Sequence, residues 1–204
     1  MMKRRQPTKP RPKSEDGEPR QMKAFTREEI HLFDAFFRKD DSTTSIRDLA
    51  LMWTAVDTAL RSIDIVNLKV NDVANDGIIL DQFTVMQQKT KGSVLCKINE
   101  NCKNALLSWL IEAEILHEPD ATIFSIGTRH YQRLVRQWCG GVGIDPANYC
   151  THSFRRTKST IAYNETKNCE YIRSLLGNNS GNIEMYIRKV TREEALALAL
   201  QCDV

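Results

Sequence analysis

The sequence predicts a mainly α-helical fold with one small three-stranded antiparallel sheet inserted, which is an α+β arrangement. Apolar residues recur at helical spacing over most of the chain after residue 25. The spacing changes to strand-like alternation only between about 69 and 98, where turn-forming residues separate the alternating stretches. With 204 residues, of which 41% are hydrophobic, the chain can bury the core of one ordinary domain.

The first predicted helix begins at a capping box, with Thr26 as N-cap and Glu29 three residues later. A second helix, from about 44 to 60, carries enough apolar side chains to be buried. A later helix starts at Thr151 as its N-cap, and another ends at Gly177 as its C-cap. The remaining predicted helical segments are 99–115, 128–139, 167–176, 182–190 and 191–201.

The predicted sheet consists of the stretches "LKVNDV", "GIILDQFTVMQQ" and "SVLCKI". The turns between them are expected at Asn75–Gly77 and Lys89–Gly92, since Gly, Asn and Asp supply the backbone angles of tight turns.

Residues 1–24 are rich in Pro, Lys and Arg, and we expect them to form a disordered basic tail ahead of a domain at 25–204. Residues 1–13 carry +6 with no acidic residue, and the whole chain carries +3, so the remainder sums to −3. Such a tail is either merely solvated or lies along a polyanion.

Several classes of protein are not indicated by the sequence. It contains no run of 18 apolar residues for a membrane span and no secretory signal, so no membrane partner is expected. Its six cysteines are scattered without a CxxC pair, which favours reduced thiols in the cytoplasm over a metal site or a disulfide framework.

Four local patterns carry candidate chemistry: Arg61 with Asp64 in "ALRSIDIVNLKV", Lys89 in the turn "QQKTKGS", the cluster in "THSFRRTKST", and a tyrosine after "LLGNNS". Each has a plain structural interpretation when taken alone. The third pattern places His152 and Arg155 three residues apart at a helix start, where the backbone favours an anion.

Taken together and in order, these strings resemble the catalytic motifs of the tyrosine recombinase (phage integrase) family, over about residues 24–204. The resemblance implies a tyrosine-recombinase catalytic domain like those of the small stand-alone members. It identifies the catalytic set as Arg61, Lys89, His152, Arg155, Asn178 and Tyr186. DNA-binding candidates are Lys91, which is also an alternative to Lys89 as the hairpin lysine, Arg156, Lys158 and Arg188.

The resemblance further implies a site-specific recombinase that needs neither metal nor cofactor. The two arginines clamp a DNA phosphate, Lys89 protonates the leaving oxygen, and Tyr186 forms a 3′-phosphotyrosyl bond. The implied partner is double-stranded DNA at recombination sites, bound as a homotetramer by a protein that is monomeric when free and located with the bacterial nucleoid.

One departure from the family pattern keeps a second interpretation open. The family usually has His or Trp after the "LG" dipeptide, where this chain has Asn178, and an amide cannot carry a proton as imidazole does. The alternative is a DNA-binding or regulatory protein that keeps the fold but is impaired in cleavage. A topoisomerase-like enzyme and a purely structural helical protein are further alternatives.

Overall fold

A computed structural model describes residues 22–177 of the chain. The helices are α1 (Arg27–Phe37), α2 (Thr43–Thr58), α3 (Ser62–Ile65), α4 (Val70–Val73), α5 (Glu100–Glu112), α6 (Thr128–Gly141), α7 (Thr151–Thr166) and α8 (Cys169–Leu176). The strands are β1 (Ala74–Asn75), β2 (Ile78–Ile79), β3 (Gln82–Met86) and β4 (Ser93–Lys97), and a 3-10 turn covers Pro146–Asn148. The prediction of a mainly helical fold with small antiparallel pairing is confirmed.

Helix α2 lies at the centre of the fold and packs against α1, α5 and α7. All but one of its residues from Asp48 to Thr58 are buried, as expected of a helix in the middle of a core. It ends at Ala59, which adopts the left-handed conformation (φ +50°) and turns the chain toward α3. Burial of this apolar surface is the main force that holds the helices together.

The prediction of a single three-stranded sheet is wrong within residues 22–177. The strands form two separate antiparallel pairs, β1 with β2 and β3 with β4. Most of "LKVNDV" forms α4, because Asp72 accepts a hydrogen bond from the Lys69 N–H and so caps this helical turn. The N–H groups of Val70 and Asn71 donate to carbonyls near residue 120 instead of joining a strand.

Several predicted turns and helix ends are confirmed. The capping box of Thr26 and Glu29 forms as expected, with hydrogen bonds of 2.8 and 3.1 Å. Asp76 and Gly77 both have positive φ and connect β1 to β2 in a two-residue hairpin loop. Gly177 caps α8 at φ +55°.

The chain just before α1 is fastened to the start of α7. The Phe25 ring stacks on Tyr149 at 4.4 Å, and the Phe25 N–H donates to Thr157 Oγ1 at 2.8 Å. The Lys23 N–H donates to the Asn148 carbonyl at 2.8 Å, so residues 22–24, which the sequence assigns to the tail, are packed against the domain.

No helix within residues 22–177 is both long enough and apolar enough to cross a bilayer.

A buried carboxylate joins α2 to α5. Asp57 accepts a hydrogen bond from the backbone N–H of Asn99, the N-cap of α5, at 2.7 Å. The Lys158 ammonium lies 3.8 Å from the same carboxylate. Burial raises the pKa of Asp57 above its usual value, since the hydrogen bond and the nearby cation only partly offset the loss of hydration.

We predict that Asp57→Asn gains stability relative to the wild type as pH rises. The raised pKa favours the protonated carboxyl in the folded state, so the wild type loses this contribution as pH climbs from about 3.9, the unfolded value, through the folded pKa. The neutral asparagine does not titrate. Urea midpoints of both proteins between pH 4 and pH 7 measure the difference.

Asp40→Asn is the matched control of opposite sign. Hydrogen bonds from Ser42 lower the pKa of Asp40, so removing that carboxyl makes the variant lose stability relative to the wild type as pH rises. Because the folded pKa lies below the unfolded value of about 3.9, most of this change falls below pH 4, and the urea midpoints of this control are extended to about pH 2.5. A difference for Asp57→Asn that is constant or shrinks with rising pH contradicts the assignment.

Candidate active site

Arg61 lies at the turn between α2 and α3, as the N-cap residue of α3. Its side chain is only 8% exposed and points into the fold rather than to solvent. The Arg61 Nη1 donates a hydrogen bond of 2.7 Å to Oε1 of Gln87, which follows β3. Within residues 22–177 no ion pair joins Arg61 to Asp64, which instead accepts a hydrogen bond from the Gln88 N–H.

Arg155 lies on α7 and is 1% exposed, so it is not part of a basic surface strip. Its guanidinium donates to the Ala59 carbonyl at 2.5 Å and to the Leu176 carbonyl at 3.0 Å. These oxygens belong to the C-terminal ends of α2 and α8, where helix carbonyls lack intrahelical partners. A cation between two helix C-termini is favoured by both helix dipoles, which helps to stabilise a buried charge.

Gln87 connects the two arginines. Its Nε2 donates at 3.1 Å to the same Leu176 carbonyl that accepts from Arg155, while its Oε1 accepts from Arg61. One amide and one carbonyl therefore separate the two guanidiniums. Arg61 and Arg155, which are far apart in sequence, therefore lie close together in the fold.

The β3–β4 hairpin is tied to α3 through its backbone. The N–H of Gln88 donates to Oδ1 of the buried Asp64 at 2.8 Å. The turn is closed by hydrogen bonds of 2.9 Å from Gln87 to Gly92 and from Lys91 to Gln87. Lys89 and Lys91 are exposed at this tip, next to the residue that Asp64 holds.

His152 is exposed in the first turn of α7, one turn before the buried Arg155. The helix begins one residue earlier than predicted, because Cys150 and not Thr151 is the N-cap. The extended Cys150 donates its N–H to Ser153 Oγ at 3.1 Å, and that hydroxyl thereby fixes the helix start. Phe154, next to Arg155, is fully buried, so its ring faces the core.

Two of the predicted DNA-binding side chains have contacts inside the protein. Arg156 is half-buried and donates to the Met22 carbonyl at 2.5 Å, which holds the chain before α1. Lys158 lies beside Asp57. The predicted site residues Asn178, Tyr186 and Arg188 lie outside the described residues.

Gln87 and three arginines of α6 were not predicted from the sequence. Arg129, Arg133 and Arg136 are exposed and lie at i, i+4 and i+7, so they form one stripe along that helix. The helix contains no acidic residue and packs against α3 and α7. The strict separation of its arginines from its buried aromatic and aliphatic residues was the available signal.

Within residues 22–177, no group of three or more His, Cys, Asp or Glu side chains is arranged to hold a metal ion.

Known structures share this architecture. The crystal structure of XerA recombinase superposes with a TM-score of 0.69 over 96% of this chain and 66% of that chain, at 18% identity. XerH site-specific recombinase bound to palindromic difH substrate gives 0.72 over 88% of this chain and 53% of that chain, at 17% identity. The chain thus spans between half and two thirds of those proteins' length.

A curated relative is also similar in sequence. It is the probable integrase/recombinase YoeC of Bacillus subtilis (strain 168), which is 28% identical over 142 residues, or 68% of this chain and 75% of that protein.

The fold is that of a tyrosine-recombinase catalytic domain. The model of the phage integrase family matches residues 23–193, and the chain belongs to that family.

We predict that Gly177→Ala loosens the end of α8 from the hairpin. A Cβ at this position would lie 3.0 Å from Val94 Cβ, and the backbone has φ +55°. The left-handed conformation alone costs an alanine about 1–2 kcal/mol, and the steric overlap adds to that cost. The free energy of unfolding, measured by urea titration, gives the total.

Gly143→Ala measures how much the left-handed backbone conformation alone lowers the free energy of unfolding. Gly143 has φ +77°, and apart from its own backbone and its two chain neighbours no atom of residues 22–177 lies within 4 Å of the point that an alanine Cβ would occupy there. Gly177→Ala should cost more than this control. The same change should cost less in a Val94→Ala background, which lacks the Val94 Cγ2 that lies 3.1 Å from the added Cβ. Equal losses in the two glycine variants contradict close packing of α8 on β4.

Proposed function

We propose that this protein is a site-specific DNA recombinase that cuts and rejoins strands through a 3′-phosphotyrosyl intermediate. The observation that carries the proposal is the convergence of Arg61 and Arg155 on one amide and one carbonyl, beside a hairpin that carries Lys89. Membership of the phage integrase family and the shared fold support it.

In the proposed reaction, the Tyr186 oxygen attacks the scissile phosphorus and the bond to the 5′ oxygen breaks. Arg61 and Arg155 bind the non-bridging oxygens and stabilise the charge that develops on them. Lys89 gives its proton to the departing 5′ oxygen, with Lys91 as the alternative donor, and His152 exchanges a proton with the nucleophile or the phosphoryl group. Asn178 donates a hydrogen bond to a phosphoryl oxygen.

The phosphotyrosyl bond conserves the energy of the phosphodiester that was broken. Attack by a free 5′ hydroxyl on that bond reverses the step, so rejoining needs no high-energy cofactor. Joining to a partner strand instead of the original one gives strand exchange. We assign residues 25–204 to this catalytic unit and the basic segment before it to backbone contacts with DNA.

The proposed partner is double-stranded DNA at recombination sites, within the nucleoid. XerH and lambda integrase structures contain DNA, and the latter is described as a dimer on a core site. For this chain we propose a monomer in free solution and a homotetramer when two sites are paired.

Backbone phosphates are assigned to basic side chains around the arginine site. The sequence-derived set is Lys91, Arg156, Lys158 and Arg188. To it we add the exposed stripe of α6, Arg129, Arg133 and Arg136, since α6 packs directly on α3 and α7, which carry the arginine pair.

The burial of the arginine pair places a condition on the reaction. Arg61 is 8% and Arg155 1% exposed, so a phosphodiester reaches them only after the surrounding chain rearranges. DNA binding and the opening of the site are therefore coupled steps in the proposed mechanism.

The direct test is a covalent adduct on a nicked suicide DNA substrate, resolved on a denaturing gel. We expect an adduct with the wild type and none with Tyr186→Phe. Arg155→Ala should slow adduct formation about 100- to 1000-fold, the usual effect of removing one donor to a developing oxyanion.

Specific DNA binding without any adduct would instead identify a regulatory protein that is impaired in cleavage, as the asparagine at 178 suggests. Absence of DNA binding at low salt would contradict both functions.

The α6 stripe has its own test. Replacing Arg133 by Ala should weaken DNA binding on any sequence and reduce the slope of log K against log salt by about 1. Arg133→Lys keeps the charge and should keep the slope. An unchanged slope in the alanine variant contradicts a phosphate contact.

A further inference from the structure

We propose that Gln87 is a positioning residue whose side-chain amide fixes the Arg61 guanidinium relative to both the hairpin tip and the end of α8. This inference rests on the proposed recombinase function. It concerns a residue that contacts the catalytic arginine and is not itself placed against the DNA.

The position of Gln87 in the sheet makes a polar side chain costly. Phe83 and Val85 are the buried residues of β3, and Gln87 continues this inward-facing alternation just beyond the strand, with 0% exposure. A buried amide without hydrogen bonds would destabilise the fold. An apolar residue would satisfy the core at this register, so packing alone does not account for the glutamine.

The hydrogen bonds of Gln87 explain why a glutamine occupies this buried position. Its Oε1 accepts from Arg61 Nη1 at 2.7 Å and from Thr90 Oγ1 at 2.6 Å, and its Nε2 donates to the Leu176 carbonyl at 3.1 Å. The orientation of the amide is determined by chemistry, since a guanidinium only donates and a carbonyl only accepts.

Each of these contacts ties a different part of the proposed site to the same group. Thr90 is next to Lys89 at the hairpin tip, and Leu176 precedes the segment that carries Tyr186. Leu176 also accepts from Arg155. A shift of the hairpin or of the end of α8 therefore moves the acceptor that orients Arg61.

Among the natural side chains, glutamine is suited to accept a hydrogen bond from Arg61 and to donate one to the Leu176 carbonyl. An ionised glutamate has no hydrogen to donate to the Leu176 carbonyl, and its charge would pair with Arg61 and compete with a phosphate. Methionine has a similar volume and removes all three hydrogen bonds, so Gln87→Met separates packing from orientation.

The experiment measures the rate of adduct formation on the nicked duplex at saturating protein, together with DNA affinity. Gln87→Met should cleave up to about 100-fold more slowly, the cost of a small misplacement of a catalytic group, with unchanged affinity. In an Arg61→Ala background it should cause no further loss, because its effect passes through that arginine.

The pair Thr90→Ala and Thr90→Ser gives a second test on an exposed residue. The alanine variant should slow cleavage about fivefold, as expected for one neutral hydrogen bond, and the serine variant should restore the rate. Thr84→Ala, on the exposed face of β3, is the control for changes to the hairpin that leave this contact intact.

The outcomes are distinct. No adduct with the wild type overturns the proposed function, and this inference with it. A wild-type adduct with normal cleavage by Gln87→Met, or an equal loss in the Arg61→Ala background, overturns the inference alone. Should Gln87→Met not fold, normal cleavage by Thr90→Ala overturns it instead.

Discussion

The carbonyl oxygen of Leu176 accepts hydrogen bonds from both Arg155 and Gln87, and the rest of the site is built around it. It can do so because it lies at the C-terminal end of α8, where a backbone oxygen has no partner within its own helix. Two buried polar side chains thereby share one acceptor. The end of α8, the hairpin and α7 are fixed against each other at a single atom.

The other acceptor of the Arg155 guanidinium is also a carbonyl at the end of a helix. Ala59 ends α2 in the left-handed conformation, and its carbonyl accepts from Arg155. A buried positive charge thus bridges the negative ends of two helices, which is a stable way to hold an arginine in a core. The position of Arg155 is consequently set by how two helices terminate, whereas Arg61 is oriented by its side-chain contact with Gln87.

The sequence predicted those elements whose signals are local. The capping residues Thr26 and Glu29 and the loop residues Asp76 and Gly77 encode their structure within four positions. The segment after Lys69 was predicted as a strand because its apolar residues alternate, yet its N–H groups bond to a loop about fifty residues away. No short-range pattern contains that information.

For the candidate site, the sequence indicated the two arginines but not the residue that connects them. Arg61 and Arg155 were found by a motif resemblance, and their proximity follows from the fold. The alternation of Phe83 and Val85 places Gln87 on the inward face, but no local pattern shows which groups its amide contacts. Its role depends on Leu176, which is eighty-nine positions away.

The near-complete burial of Arg155 also affects which anions can bind to it. Cells contain abundant small phosphate compounds, such as nucleotides and pyrophosphate, that bind readily to open pairs of guanidinium groups. Such compounds cannot contact a guanidinium that has almost no accessible surface. In the proposed recombinase, this burial therefore limits binding of small anions until the site has opened around a DNA phosphate.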